Sequence, residues 1–238
     1  MKIFLAGASG AIGRRLTPLL LEAGHDLTAM TRSADAARDL KSAGVTPAMA
    51  DVYDADGLQR AVVAARPEIV IHQLTDLPRV FDETQLAAQY PRNARIRIEG
   101  TRNLVAAAKA AGATRFIVQS VAFAYAPGRA PHVETDPFNL TDGPRVVTVR
   151  AAADMEQQVL NSGMEAIVLR YGLFYGPGTW SETPVRKPSL HIDAAAGAAL
   201  LSLTGNAGVY NIADDDGTVS IEKARRELGF EPGFRLKA

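Results

Sequence analysis

Short apolar runs that read as strands buried on both faces, "EIVIH" and "RFIVQ" among them, recur through the first two-thirds of the chain, and Ala-rich stretches at helical spacing lie between them. This alternation constrains the fold more than any other feature. A strand with no polar face needs cover on both sides, and a helix between successive strands supplies it. The strands are read at Lys2–Ala6, Asp26–Thr31, Thr46–Ala50, Glu68–Gln73, Arg115–Ser120 and Ala166–Arg170. The helices are read at Ala11–Ala23, Ala34–Ala43, Ala55–Ala64, Asn93–Ala111 and Arg150–Asn161. Gly24, Gly44, Gly112 and Gly163 each follow a helical run, where a C-terminal cap favours a residue that tolerates positive φ. The pattern predicts an α/β fold built on a doubly wound parallel sheet.

After Tyr171 the pattern changes. "YGLFYGPGTWSETPVRKPS" is loop-rich, and a short helix near Asp193–Leu203, a strand at Val209–Ile212 and a helix at Ile221–Leu228 follow. That is too little material for an independent core. The expected division is a sheet domain over residues 1–170 and a small substrate-covering lobe over 171–238, packed on the C-terminal ends of the strands.

Composition excludes several functions. Lys plus Arg and Asp plus Glu are equal at 26 each, so there is no electrostatic footprint for nucleic acid or an anionic membrane. With no cysteine, disulfides, thiolate metal sites and a Cys nucleophile are ruled out. His25, His72 and His132 show no metal-ligand spacing, and Asp214–Asp216 before Gly217 reads as a solvated turn. Three Arg within six residues of "PRNARIRIEG" read as a solvated helix face. The apolar run in "MKIFLAGASG" is too short for a signal or a membrane span, which points to the cytoplasm.

Gly7, Gly10 and Gly13 stand between the first strand and the first helix as Gly-x-x-Gly-x-x-Gly. In a Rossmann-like sheet the first glycine permits the tight turn and the second lets backbone approach a pyrophosphate. The third lets the helix sit close to the strand, and the helix N-terminus supplies N–H groups and positive potential. At the end of the second strand an NAD site usually carries an acid for the ribose hydroxyls, whereas Arg favours the 2′-phosphate. Thr31, Arg32 and Ser33 occupy that edge, so NADP is expected, with NAD possible. Asp51, after the third strand, is placed to accept from an adenine amine, or else to cap the next helix.

Taken together these segments resemble the extended or atypical short-chain dehydrogenase/reductases of the NAD(P)-dependent epimerase/dehydratase group. "FLAGASGAIG" resembles the cofactor loop, which implies cofactor contacts at Gly7, Ser9, Gly10, Ala11, Ile12 and Gly13. "DVYD" resembles the segment after the third strand, implying Asp51 and Val52. "VIHQLT" resembles the segment beside the nicotinamide ribose, implying Gln73, Leu74 and Thr75. "FIVQSVAFAYAP" and "VLRYGLFYGPG" resemble the fifth and sixth strands with their loops, implying Gln119, Ser120 and Tyr171. "EGTRNLVAAAKAAG" resembles a long interface helix, which implies a homodimer.

The resemblance also implies a reaction: an oxidoreductase or epimerase acting on a small carbonyl, alcohol or sugar-like substrate. Relatives use a Tyr-x-x-x-Lys pair, in which Tyr transfers a proton while hydride moves and Lys lowers the Tyr pKa. Sliding that motif onto "VVTVRAAADMEQQVL" puts Thr148 at the Tyr and Ala152 at the Lys. Neither can do that chemistry, and neither is expected to matter chemically. Tyr125 is then the best candidate acid, with Ser120 beside it and Arg150 placed to lower its pKa or to hold a substrate anion. The competing expectation is a nucleotide-binding regulator that has lost catalysis.

Overall fold

The computed structural model describes residues 1–78, 83–141, 143 and 145–236, with the side chains of all of these except 83–87. Its strands are β1 (Lys2–Ala6), β2 (Asp26–Thr31), β3 (Thr46–Met49), β4 (Ile69–His72), β5 (Arg115–Val121), β6 (Glu165–Tyr171), β7 (Leu173–Tyr175), β8 (Ser189–His191) and β9 (Gly208–Ile212). Between them lie α1 (Ala11–Glu22), α2 (Ala34–Ser42), α3 (Ala55–Ala65), α4 (Glu83–Arg95), α5 (Thr101–Ala110), α6 (Val146–Leu160), α7 (Ile192–Leu201) and α8 (Glu222–Leu228). Seven strands form one parallel sheet in the order β3-β2-β1-β4-β5-β6-β9, as the alternation of the sequence requires. The order reverses between β1 and β4. A crevice opens at such a point outside the carboxyl ends of the strands, and this is where open α/β sheets bind ligands.

The two-residue period of each strand divides the core in two. Ile3 and Leu5 of β1, Ile69 and Ile71 of β4, and Ile167 and Leu169 of β6 face one layer, with Leu16 and Leu20 of α1 and the alanines of α7. Phe4, Val70, Phe116 and Val168 face the other, with Leu58 of α3, Leu104 of α5 and Met155 of α6. Gly24, Gly44, Gly112 and Gly163 all have φ between +74° and +83°, as the caps they were expected to form require.

Three expectations about extent change. The helix read at Asn93–Ala111 begins at Glu83 as α4 and passes through a five-residue π-helical turn, Ile96–Gly100, before continuing as α5. The helix read from Arg150 begins four residues earlier, at Val146. The C-terminal part, expected as a lobe packed on the sheet, also adds a strand to it. β9 pairs with β6 inside the main sheet, α7 packs on α1, and a single core layer runs from Ile3 to Phe230. Without β9, the apolar strand β6 would be an open edge.

One buried ion pair fastens the far half of the sheet. Arg170 on β6 donates from Nη2 to Glu156 Oε2 at 2.7 Å and from Nε to Oε1 at 3.0 Å. Ser120 on β5 donates to the same Oε1 at 2.5 Å. Removing one member of a buried pair leaves the other charge without a partner. Arg170→Met is therefore expected to lower the unfolding free energy by about 3–5 kcal/mol, and Ser120→Ala by about 1 kcal/mol. Urea titrations of the two variants check this, and an Arg170→Met midpoint equal to that of the parent would count against a structural role.

Candidate active site

The glycine loop can be tested for a ligand by asking what a side chain would meet there. Gly7 has φ +105°, and a Cβ on it would lie 2.7 Å from the Gln73 carbonyl oxygen. A Cβ on Gly13 would lie 2.2 Å from the Gly7 carbonyl oxygen. Both glycines are thus fixed by the close packing of β1, α1 and the segment after β4. Gly10 is different. Its φ of −74° suits any residue, and a Cβ would meet only the Gly7 carbonyl oxygen, at 3.3 Å. Packing alone does not call for glycine at that position, whereas close approach of a pyrophosphate does.

Around the loop, Ser9 is exposed, Ala11 opens α1, and the Ile12 side chain turns into the core. No side chain among the described residues caps α1, so its first-turn amides are free to take an anion. Arg14 donates from Nη1 to the Ser9 carbonyl at 2.8 Å and lies beside Gly178, which braces the loop from the C-terminal side. The sequence reading passed over Arg14. Across the cleft Gln73 is buried, and neither atom of its amide makes a hydrogen bond of good geometry, although the Tyr171 hydroxyl lies beside it. An open Gly10 and an orphaned amide at the crevice fit a dinucleotide whose nicotinamide end lies toward β4.

At the carboxyl end of β2 Arg32 is exposed, with 71% of its side chain open, and its Nη1 lies 3.5 Å from Asp51 Oδ2. Thr31 Oγ1 accepts from Ser33 N at 3.1 Å, and Ser33 Oγ caps α2 by accepting from Ala36 N at 3.3 Å. Those two side chains are spent locally, and Arg32 is the one that projects. Val52 is buried, and its carbonyl accepts from Asn103 Nδ2 at 2.9 Å. Leu74 is held from both sides: its carbonyl accepts from Gln119 Nε2 at 3.1 Å and its N–H donates to His72 Nδ1 at 3.2 Å. Thr75 is exposed beyond it. His72 itself is fully buried, and desolvation pulls its pKa down to about 3, so it is neutral at physiological pH. Its Nδ1 is an acceptor there, which leaves the proton on Nε2, 3.0 Å from Thr101 Oγ1.

Two site expectations change. Tyr171 lies in the core rather than on the cleft wall, and its hydroxyl donates to the Ala195 carbonyl at 3.3 Å, because the small side chains of α7 let that backbone come close. Arg150 does not meet Tyr125. It is exposed and donates from Nε to the Leu140 carbonyl at 2.7 Å, and Arg170 is the cation at Tyr125. The Tyr125 hydroxyl donates to Asn211 Oδ1 at 2.6 Å and accepts from Arg170 Nη1 at 2.9 Å, while its ring stacks on His132. Burial raises its pKa above 10, with Arg170 pulling the other way. Ser120 belongs to the Glu156–Arg170 pair described above. No group of His, Asp and Glu suited to a metal ion occurs among the described residues, and no helix among them is long and apolar enough to cross a membrane.

A family described as NAD(P)H-binding matches residues 7–187. Among curated proteins, the 3-diazoavenalumate denitrifying reductase of a Streptomyces species is 38% identical over 264 aligned residues, covering 100% of this chain and 85% of that protein. The aligned length exceeds the 238 residues of this chain, so the relative carries residues that this chain lacks. Among solved structures, the UDP-glucose 4-epimerase of Thermotoga maritima with UDP-glucose superposes with a TM-score of 0.79 at 18% identity, covering 99% of this chain and 94% of that one. The UDP-glucose 4-epimerase of Thermus thermophilus in complex with NAD gives 0.78 at 19% identity, covering 99% and 95%. The chain belongs to the NAD(P)H-binding family, and it shares the fold of the two epimerases.

The glycines give a paired test. Gly10→Ala should fold with a thermal midpoint close to the parent's and bind NADPH about 10-fold or more weakly, as expected when a charge-assisted contact to backbone N–H is obstructed. Gly13→Ala should lose stability first, because the Gly7 backbone must move. Calorimetric titration beside thermal melts separates the two, and unchanged NADPH affinity in a folded Gly10→Ala would remove the phosphate site from this loop.

Proposed function

We propose that the protein is an NADPH-dependent reductase that delivers hydride to a small electrophilic carbon without protonating it. An aryl carboxylate bearing a diazonium group is the substrate class. The observation that carries this reading is the absence of a proton-transfer pair. No Tyr-x-x-x-Lys occurs anywhere in the sequence, and Thr148 and Ala152, at the corresponding positions, are both buried. A threonine hydroxyl can donate a hydrogen bond, but its pKa is far too high for it to give up a proton. Reduction of a carbonyl to an alcohol needs such a proton. Replacement of a diazonium group does not, since the hydride pair forms the new C–H bond, dinitrogen leaves with the C–N pair, and the nicotinamide is oxidised. The name of the Streptomyces relative supports that substrate class.

Within this reading the chain's own groups bind and orient. The first turn of α1 and Gly10 hold the pyrophosphate, Asp51 and Arg32 take the adenosine end, and Gln73, Leu74 and Gln119 shape the floor beneath the nicotinamide. Arg32 favours NADPH over NADH because a guanidinium forms a charge-assisted bond with a 2′-phosphate. Tyr125 is the proposed acid if the substrate is a carbonyl instead, but its proton is engaged by Asn211 and its pKa is raised, both of which weaken it for that task.

Two outcomes follow. Arg32→Glu should weaken NADPH binding and spare or improve NADH, and equal changes for both cofactors would overturn the preference. With an aryl carboxylate bearing a diazonium group and NADPH deuterated at the transferring position, the reduced carbon should gain deuterium from the cofactor and none from solvent, with dinitrogen released. Tyr125→Phe should leave that turnover within a small factor. A loss of about 10²–10⁴-fold, the usual worth of a positioned acid, would instead return the proton-donor role to Tyr125.

A further inference from the structure

Of the three arginines expected on a solvated helix face, Arg92 and Arg95 lie there, paired with Asp76 and Glu99. Arg97 does not. It is 7% exposed and makes no ion pair among the described residues. Its Nη1 donates to the Thr148 carbonyl at 2.8 Å and to Thr148 Oγ1 at 2.6 Å, and its Nε and Nη2 donate to nothing among the described residues. Desolvation lowers its pKa to about 10, so it remains a cation at neutral pH. The carboxylate that acts on it, Glu156, is committed to Arg170 and Ser120. A buried cation whose nearest carboxylate is shared with another arginine is only partly compensated, and that is costly to keep.

Its place in the fold suggests why it is kept. Arg97 lies in the π-helical turn, a rare distortion that is frequent at functional sites. Gln158 steadies that turn by donating from Nε2 to the Ile98 carbonyl at 3.2 Å. Asn93 links the cluster to the cleft: its Nδ2 approaches Thr148 Oγ1 at 3.5 Å, and its Oδ1 accepts from Asp76 N, in the segment after β4, at 3.0 Å. That segment begins with Gln73, against which Gly7 packs. Thr148 Oγ1 accepts from Arg97, while its own proton has no acceptor among the described residues. A threonine polarised by a cationic donor and left with a spare proton is built to give a hydrogen bond to an anion.

We propose that Arg97 and Thr148 form an oxyanion-holding subsite beside the nicotinamide end of the cleft, which takes an anionic oxygen of the substrate. This deepens the reductase reading and rests on its placement of the cleft. Where relatives are expected to carry a group that moves a proton, this chain carries a fixed positive charge and a hydroxyl that cannot ionise. The pair orients an anionic substrate and gives it no proton. Thr148, expected from the sequence to be chemically silent, is therefore a positioning residue.

The test is binding, so it does not depend on turnover. With the NADP-loaded protein, calorimetric affinities are measured for cinnamate, its neutral isostere cinnamamide, and 4-nitrophenolate. The parent should bind at least one anion about 10- to 100-fold more tightly than the amide, the worth of a hydrogen bond to a charged group, and which anion it is distinguishes a carboxylate from a phenolate oxygen. Arg97→Met should abolish that preference, Arg97→Lys should restore part of it, and Thr148→Val should lose a smaller share, while NADPH affinity stays the same in all three. If Arg97→Met does not fold, Arg97→Lys and Thr148→Val carry the comparison. A parent that binds acid, phenolate and amide alike would overturn the proposal, as would variants whose anion preference is undiminished. If the preference holds but no aryl carboxylate bearing a diazonium group is reduced, the subsite stands and the reaction reading falls.

Discussion

The structure depends on a contact with no room for a side chain. Where β1 turns into α1, the backbone of Gly13 lies against the Gly7 carbonyl, and Gly7 lies against Gln73, just past the end of the neighbouring strand β4. This contact fixes the N-terminus of α1 above the reversal in strand order. The unsatisfied amides of a helix start and the crevice of a parallel sheet therefore open onto the same space. Arg14 and the Gly178 turn brace the loop from the C-terminal half of the chain, so the far end of the sequence helps to hold its beginning.

Polar groups at the other end of the cleft fall into two sets with different tasks. Glu156, Arg170, Ser120, Tyr125 and Asn211 satisfy one another, join β5, β6, β9 and α6, and have no donor to spare for chemistry. Arg97 and Thr148 are under-satisfied among the described residues, and Arg97 sits on the π-helical turn Ile96–Gly100. A buried network costs little when every member has a partner and a good deal when one has none. The first set is therefore read as structural and the second as a place held for a ligand.

How much of this was legible in the sequence follows from the range over which each feature is decided. The strands, the helix caps at Gly24, Gly44, Gly112 and Gly163, and the phosphate loop depend on periodicity and on backbone conformations that few residues besides glycine adopt, and both are local. The sequence thus determined a doubly wound sheet and a nucleotide loop after its first strand. Tyr171, Arg150 and Arg97 were assigned places by motif or by charge, but burial depends on which elements pack together. The small side chains of α7 drew Tyr171 into the core, Arg170 from β6 reached Tyr125 before Arg150 could, and one π-helical turn swung Arg97 from the solvated face to Thr148. The same applies to β9, which the sequence places after the change of pattern at residue 171 and which pairs with β6 in the main sheet. Local periodicity sets what each segment becomes; only tertiary packing decides which charges lose their water, because desolvation depends on neighbours from distant parts of the chain.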